Sequence, residues 1–123
     1  ERINQDRLQA HAIEAAEQCG GTYVPKVHKI CKLTDTLEKW PNDRKIFFCN
    51  EDNLKPTRKL SKLPKGAWAI FIGPEGGFSK KERNRFMKHP KTFSISLGPR
   101  ILRADTAAIS ALTLWQSHFG DWT

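Results

Sequence analysis

Two short segments concentrate the residue types that could hold and act on a ligand. In Gly73-Pro74-Glu75-Gly76-Gly77, three glycines follow an apolar run and precede a helix start. They leave backbone that a flat ligand can approach closely, with exposed amides as donors. The segment lacks the Gly-Lys-Ser/Thr ending of a phosphate loop and the G-x-G-x-x-G of a dinucleotide fold, which disfavours nucleoside triphosphate hydrolysis. By itself such a loop also reads as an ordinary tight turn. In the second segment, residues 97–108, Arg100 and Arg103 bracket Ile101-Leu102 and run into an apolar helix. Cations beside apolar surface need an anionic partner. From the residues alone, a structural pair of Arg103 with Asp105 or Glu75 is as good a reading as catalysis.

The elements that must position these segments follow from periodicity. Leu8, Ala12, Ala15, Ala16 and Cys19 fall at helical spacing, and Gly20-Gly21 supplies a stop, so residues 1–19 are expected to form an amphipathic helix. Residues 22–27 are expected as a short strand, held to an edge or irregular by Pro25. Thr34 is placed to cap a short helix through Trp40. Residues 46–49 read as a strand and residues 51–66, with Lys55, Arg58, Lys59, Lys62 and Lys65, as a surface loop with one turn of helix. Residues 68–72 are continuously apolar, the pattern of a strand covered on both faces of a parallel sheet. Ser79 with Glu82 is a capping-box signature for a helix over 79–88, and Pro90 stops it. The alternation of Phe93, Ile95 and Leu97 with Ser94 and Ser96 predicts a strand over 92–97. The last helix, 105–119, is apolar nearly all round, which implies burial on more than one side. Strands alternating with helices give an α/β domain with a mainly parallel sheet, its ligand site at the strands' carboxyl ends.

Composition bounds the function classes. The 123 residues suit one domain. The longest apolar run, residues 67–72, is far shorter than the roughly 20 residues a membrane-spanning helix needs. No signal-peptide pattern follows Glu1. Twenty-one Lys and Arg against 13 Asp and Glu give a charge of +8, which attracts polyanions, nucleic acid first among them. Cys19, Cys31 and Cys49 are odd in number with no C-x-x-C spacing, and His11, His28, His89 and His118 are scattered. That pattern disfavours a disulfide framework and a metal site, and points to reduced thiols in a cytoplasmic protein.

Residues 72–79 (I-G-P-E-G-G-F-S), 97–107 (L-G-P-R-I-L-R-A-D-T-A) and 14–19 (E-A-A-E-Q-C) together resemble the RsmE family of the SPOUT superfamily. Its members methylate uridine at ring N3 in small-subunit (16S) ribosomal RNA with S-adenosylmethionine. The resemblance covers nearly the whole chain and is strongest over residues 68–122. It implies an α/β fold with helices on both sheet faces, a C-terminal trefoil knot, a homodimer and a cofactor held in the knot. By carry-over, Ile72, Gly73, Pro74, Gly76 and Gly77 line the cofactor on one side and Leu97, Gly98, Ile101, Leu102 and Thr106 on the other. Phe48, Cys49 and Asn50 complete the pocket.

The implied chemistry is an in-line displacement in which the protein aligns the reacting atoms and excludes water. Removing the imide proton of uridine leaves negative charge on the flanking carbonyls, which a guanidinium stabilises. Arg103 is assigned that role, and Asp105 or Glu75 that of proton acceptor. Arg100, Arg103, Lys80 and Lys81 are assigned to RNA. The competing reading is a nonenzymatic RNA-binding module that grips phosphates through its basic segments. Two departures from the family stand out. Gly21 occupies the place where many members carry arginine after E-Q-C-G, and these residues are expected to lack the PUA-like barrel that usually precedes the catalytic domain. The chain is therefore expected to be an incomplete SPOUT domain spanning 1–123, weak by itself in ribosomal RNA methylation.

Overall fold

In the computed structural model, the described residues are 3–50, 60–98 and 100–122. Lys55, Arg58, Lys59 and Pro99 lie outside them. The chain divides into two compact units, Glu1–Glu38 and Lys39–Thr123.

The first unit begins with α1 (Gln5–Gln18). Asn4 caps it, its side chain accepting the Arg7 N–H at 3.0 Å. It ends where Gly20 turns left-handed at φ +71°. The expected strand over 22–27 does not form. The side chain of Gln9 instead accepts the Val27 N–H at 2.7 Å and donates to the Pro25 carbonyl at 2.9 Å, while Gln5 donates to the Val27 carbonyl at 2.8 Å. Side-chain amides of α1 thus satisfy backbone groups that a neighbouring strand would otherwise take. The amphipathic face is also less covered than its spacing implies: of Leu8, Ala12, Ala15, Ala16 and Cys19, Ala16 alone is buried. The next helix, α2 (Leu33–Glu38), starts before Thr34, whose expected capping position is therefore inside it, and stops short of Trp40.

The second unit is built on three parallel strands, β1 (Arg44–Cys49), β2 (Ala67–Phe71) and β3 (Thr92–Ile95), in the order β2-β1-β3. Phe47 is level with Ile70 on one side and Phe93 on the other. The continuously apolar β2 is therefore an edge of the described sheet, and the central place belongs to β1, where Ile46, Phe47 and Phe48 are fully buried. Successive side chains of a strand leave on opposite faces. Phe47 and Cys49 accordingly pack with Trp68 and Ile95 beneath Ala111, Trp115 and Phe119 of the last helix segment. Phe48 turns the other way and stacks on Phe86 at 4.3 Å.

Those two faces are covered by α3 (Lys80–Lys88) and α4 (Ala104–His118). The capping box is complete: Ser79 N–H donates to Glu82 Oε1 at 2.7 Å and Glu82 N–H to Ser79 Oγ at 3.1 Å. The β3 strand stops at Ile95, not Leu97, because Ser96 Oγ accepts the Gly98 N–H at 3.2 Å and draws the chain into a local turn. Ser94 is buried as well as Ile95. Among the described residues, α4 keeps one side open, with Ile109 68% exposed and Leu112 53%.

Phe86 is in contact with Phe48, Phe71 and Phe78, with ring centroids 4.3, 4.9 and 5.3 Å away. Phe86→Ala should therefore lower unfolding free energy by about 3 to 5 kcal/mol in urea titrations, the range for emptying a well-packed aromatic site. A loss below about 1 kcal/mol would show that α3 is not fastened through this ring.

Candidate functional site at the carboxyl ends of the strands

Parallel strands deliver their carboxyl ends to one side of a sheet, and ligands in open α/β folds bind there. Here β1 delivers Cys49 and Asn50, β2 delivers Ile72 and Gly73, and β3 delivers Ile95, Leu97 and Gly98. Arg100, Leu102, Ala104 and Ala107 close the other wall. The cavity of the cleft measures about 30 Å³. It is therefore a narrow slot, suited to a flat ligand. Its lining is mostly apolar, and Arg100 is the one charged residue among the described lining residues.

Small residues make the slot. A Cβ at Gly73 would come within 3.1 Å of the Phe78 ring, so glycine lets this aromatic pack directly against the backbone. Gly98 has φ +106°, a conformation that side chains rarely adopt, and nothing lies within 4 Å of where a Cβ would stand. Ala104 and Ala107, one turn apart on α4, keep the helix wall low. The Cys49 thiol is pushed up from 9.0 to about 12 by burial. It presents a neutral S–H to the cleft and is not a nucleophile near neutral pH.

The two segments singled out in the sequence thus meet, but not with all their residues. Cys49, Asn50, Ile72, Gly73, Leu97, Gly98 and Leu102 line the cleft. Phe48 falls outside it, because strand alternation turns its ring to the α3 side. Pro74, Gly76 and Gly77 form a turn closed by the Gly77 N–H on the Pro74 carbonyl at 2.7 Å, and with Glu75 they lie outside the lining. Ile101 and Thr106 are exposed and also outside it. Arg103 sits between two lining residues, Leu102 and Ala104, but its side chain is 83% exposed. It pairs with Asp105 at 3.6 Å, as the structural alternative anticipates. Lys80 and Lys81 are exposed on α3.

Ile95, Ala104 and Ala107 were not among the sequence candidates, nor was Arg100 as part of a cleft wall. Two signals could have found the apolar ones: Ile95 shares a strand face with Leu97, and Ala104, Ala107 and Ala111 follow i, i+3, i+7 spacing. Among the described residues, no group of three or more His, Cys, Asp or Glu could hold a metal ion, and no helix is long and apolar enough to cross a membrane.

A family model described as an RNA methyltransferase domain matches residues 1–116. The chain belongs to this family. The RNA methyltransferase domain is 37% identical over 113 residues to ribosomal RNA small subunit methyltransferase E of Rickettsia conorii, covering 89% of this chain and 46% of that protein. It is 36% identical over 121 residues to the protein of the same name from Buchnera aphidicola, covering 94% and 45%. The crystal structure of the Neisseria gonorrhoeae ribosomal RNA small subunit methyltransferase E, bound to S-adenosyl methionine, superposes with a TM-score of 0.85 at 30% identity. That match covers 97% of this chain and 49% of the other. The domain thus spans about half the length of these relatives and is similar to the RsmE proteins over nearly all of its own.

The raised Cys49 thiol has a measurable consequence. With its proton held to about pH 12, about 1 in 10,000 of these thiols is ionised at pH 8, roughly 1,000-fold fewer than for a thiol titrating at 9.0. Iodoacetamide at pH 8 should therefore spare Cys49 in the folded protein while modifying the exposed Cys19 and Cys31, and should reach it once guanidinium unfolds the chain. Reactivity should rise with pH, since only the thiolate attacks. Peptide mass spectrometry showing Cys49 alkylated as fast as Cys19 in the native state would contradict the burial of this wall.

Proposed function

We propose that the chain is the methyl-transferring, SPOUT-type domain of a cytoplasmic small-subunit ribosomal RNA methyltransferase, which takes S-adenosylmethionine into the cleft and methylates uridine at ring N3. The observation that carries this reading is the convergence of three strand ends on one narrow, mostly apolar slot bearing a single cation. The similarity to a relative crystallised with S-adenosyl methionine adds support.

The residues present suit that cofactor. An apolar slot with a few convergent polar groups matches the usual make-up of small-molecule sites. Ile72, Leu97 and Leu102 provide faces for an adenine, and the backbone at Gly73 and Gly98 can approach its edge closely. A neutral thiol at Cys49 keeps a competing nucleophile away from an electrophilic methyl group. When bound, the cofactor supplies that methyl group on a sulfonium sulfur.

The chain's own residues then have three tasks. The apolar walls exclude water and hold the reacting atoms in line. Arg103, exposed beside two lining residues and paired with Asp105, turns toward a uridine and stabilises the negative charge left on its carbonyls as the imide proton departs. Asp105, already within 3.6 Å of Arg103, or Glu75 takes that proton. Arg100, Lys80 and Lys81 are assigned to RNA, and Pro74, Gly76, Gly77, Ile101 and Thr106 to the cofactor's periphery. The remaining parts of the proposal are a trefoil-knotted arrangement of the C-terminal segments, a homodimer, and a PUA-like domain outside these residues. Exposed Ile109 and Leu112 give apolar surface for a second copy.

Calorimetry with S-adenosylmethionine should give saturable binding at one site per chain, and an absence of heat would remove the cofactor reading. In a protein that joins this domain to its RNA-gripping partner, Arg103→Ala should slow single-turnover methylation by about 100-fold or more while leaving cofactor affinity unchanged. Unchanged turnover would take Arg103 out of the chemistry.

A further inference from the structure

The outer side of α3 carries Lys81, Asn84, Arg85 and Lys88, residues at i, i+3, i+4 and i+7 that share one helix face. These four residues, all exposed, line a shallow groove on the side of the helix turned away from buried Phe86. We propose that this stripe is a docking surface for the phosphodiester backbone of RNA. The choice of RNA rests on reading the domain as part of a ribosomal RNA methyltransferase.

Helix stability does not account for the whole stripe. Arg85 and Lys88 lie in the last turn, where cations favour the helix dipole, but Lys80 and Lys81 begin the helix, where cations oppose it. Lys81 and Arg85 are also like charges at i, i+4, a spacing that destabilises a helix. The single acid of α3, Glu82, has an oxygen committed to the capping box through the Ser79 N–H at 2.7 Å. Arg83 is turned elsewhere, its guanidinium donating to the Phe78 carbonyl at 2.7 Å. Three cations thus stand along one face with their mutual repulsion uncompensated inside the helix. A polyanion laid along them relieves that repulsion.

The dimensions also fit. Seven residues of rise separate Lys81 from Lys88, about 10 Å along the axis. A run of about 10 Å spans more than one phosphate of a nucleic-acid strand, so the three cations can meet successive phosphates. Asn84, between the cations, adds an amide donor for a phosphate oxygen. The groove is lined by polar and cationic side chains, with the exposed Met87 outside it, which favours a polyanion with separated charges over a lipid surface. Because α3 follows directly from the 73–78 segment, whose Gly73 lines the cleft, RNA held along α3 stays tied to the element that forms the cleft wall.

The test is fluorescence anisotropy of the 123-residue chain with a labelled single-stranded RNA oligomer, repeated from about 50 to 200 mM KCl. Each phosphate neutralised contributes about 0.7 to the salt slope for single strands, so the triple change Lys81→Ala, Arg85→Ala, Lys88→Ala should flatten log K against log salt by about 2. Alanine favours the helix, and circular dichroism checks that the fold persists. A matched variant, Lys29→Ala, Lys32→Ala, Lys39→Ala, removes the same charge from other exposed positions and should keep a slope within about 1 of the parent. Equal slopes for the parent and the α3 variant, equal losses in the two variants, or no RNA binding by the parent would each overturn the proposal. Calorimetry with S-adenosylmethionine on the same samples judges the cleft separately, so failure of the stripe and failure of the methyltransferase reading give different results.

Discussion

β1 buries Ile46, Phe47 and Phe48 completely, and consecutive side chains of a strand must leave on opposite faces. That constraint fixes both layers of the second unit. Phe47 requires an apolar cover on one face, met by Ala111 and Trp115 of α4 and by Phe119 just beyond it. Phe48 requires another on the reverse face, met by Phe86 of α3. With both faces covered and two parallel partners on its edges, β1 can end only where Cys49 and Asn50 emerge between Gly73 and Gly98. The position of the cleft is thus a consequence of packing in the sheet.

Size complementarity then gives the cleft its form. Bulky rings fill the layers on both sides, whereas Gly73, Gly98, Ala104 and Ala107 stand at its edge. The Phe78 ring lies against Gly73 and also packs on Phe48 and Phe86, so the glycine segment is anchored by the same aromatic group that fastens α3. Charge is kept to the rim: Arg100 on the wall, Arg103 and Asp105 paired beside it, and the cations of α3 on the far side of the sheet. An apolar interior with peripheral cations suits a reaction that excludes water from the donor while holding a polyanionic acceptor.

Local rules made several elements legible. Ser79 and Glu82 specify the start of α3 by reciprocal hydrogen bonds three residues apart, and the observed box matches. Gly20 ends α1 because few other residues adopt φ +71°. Rules that depend on distant partners gave less. Residues 22–27 have strand-like composition, but Gln5 and Gln9, some 16 to 22 positions away, take their backbone groups. The run 68–72 looks more deeply buried than the neighbouring pair Phe47-Phe48, yet it is the latter that occupies the centre, because strand order is set by pairing and not by hydrophobicity.

The amino-acid sequence by itself determined most of the element types, the two glycine-containing segments and the resemblance that joins them, since each depends on residues close together in the chain. Tertiary structure alone decided which of those residues share a surface. Gly73 and Leu97 lie 24 positions apart and become opposite walls because their strands flank β1. Phe48, adjacent to the cleft-lining Cys49, is sent to the other face by the two-residue period of a strand. Adjacency along the chain and adjacency in space diverge wherever a side chain's direction is set by the pleat, and that divergence separates the cleft from the motifs that announce it.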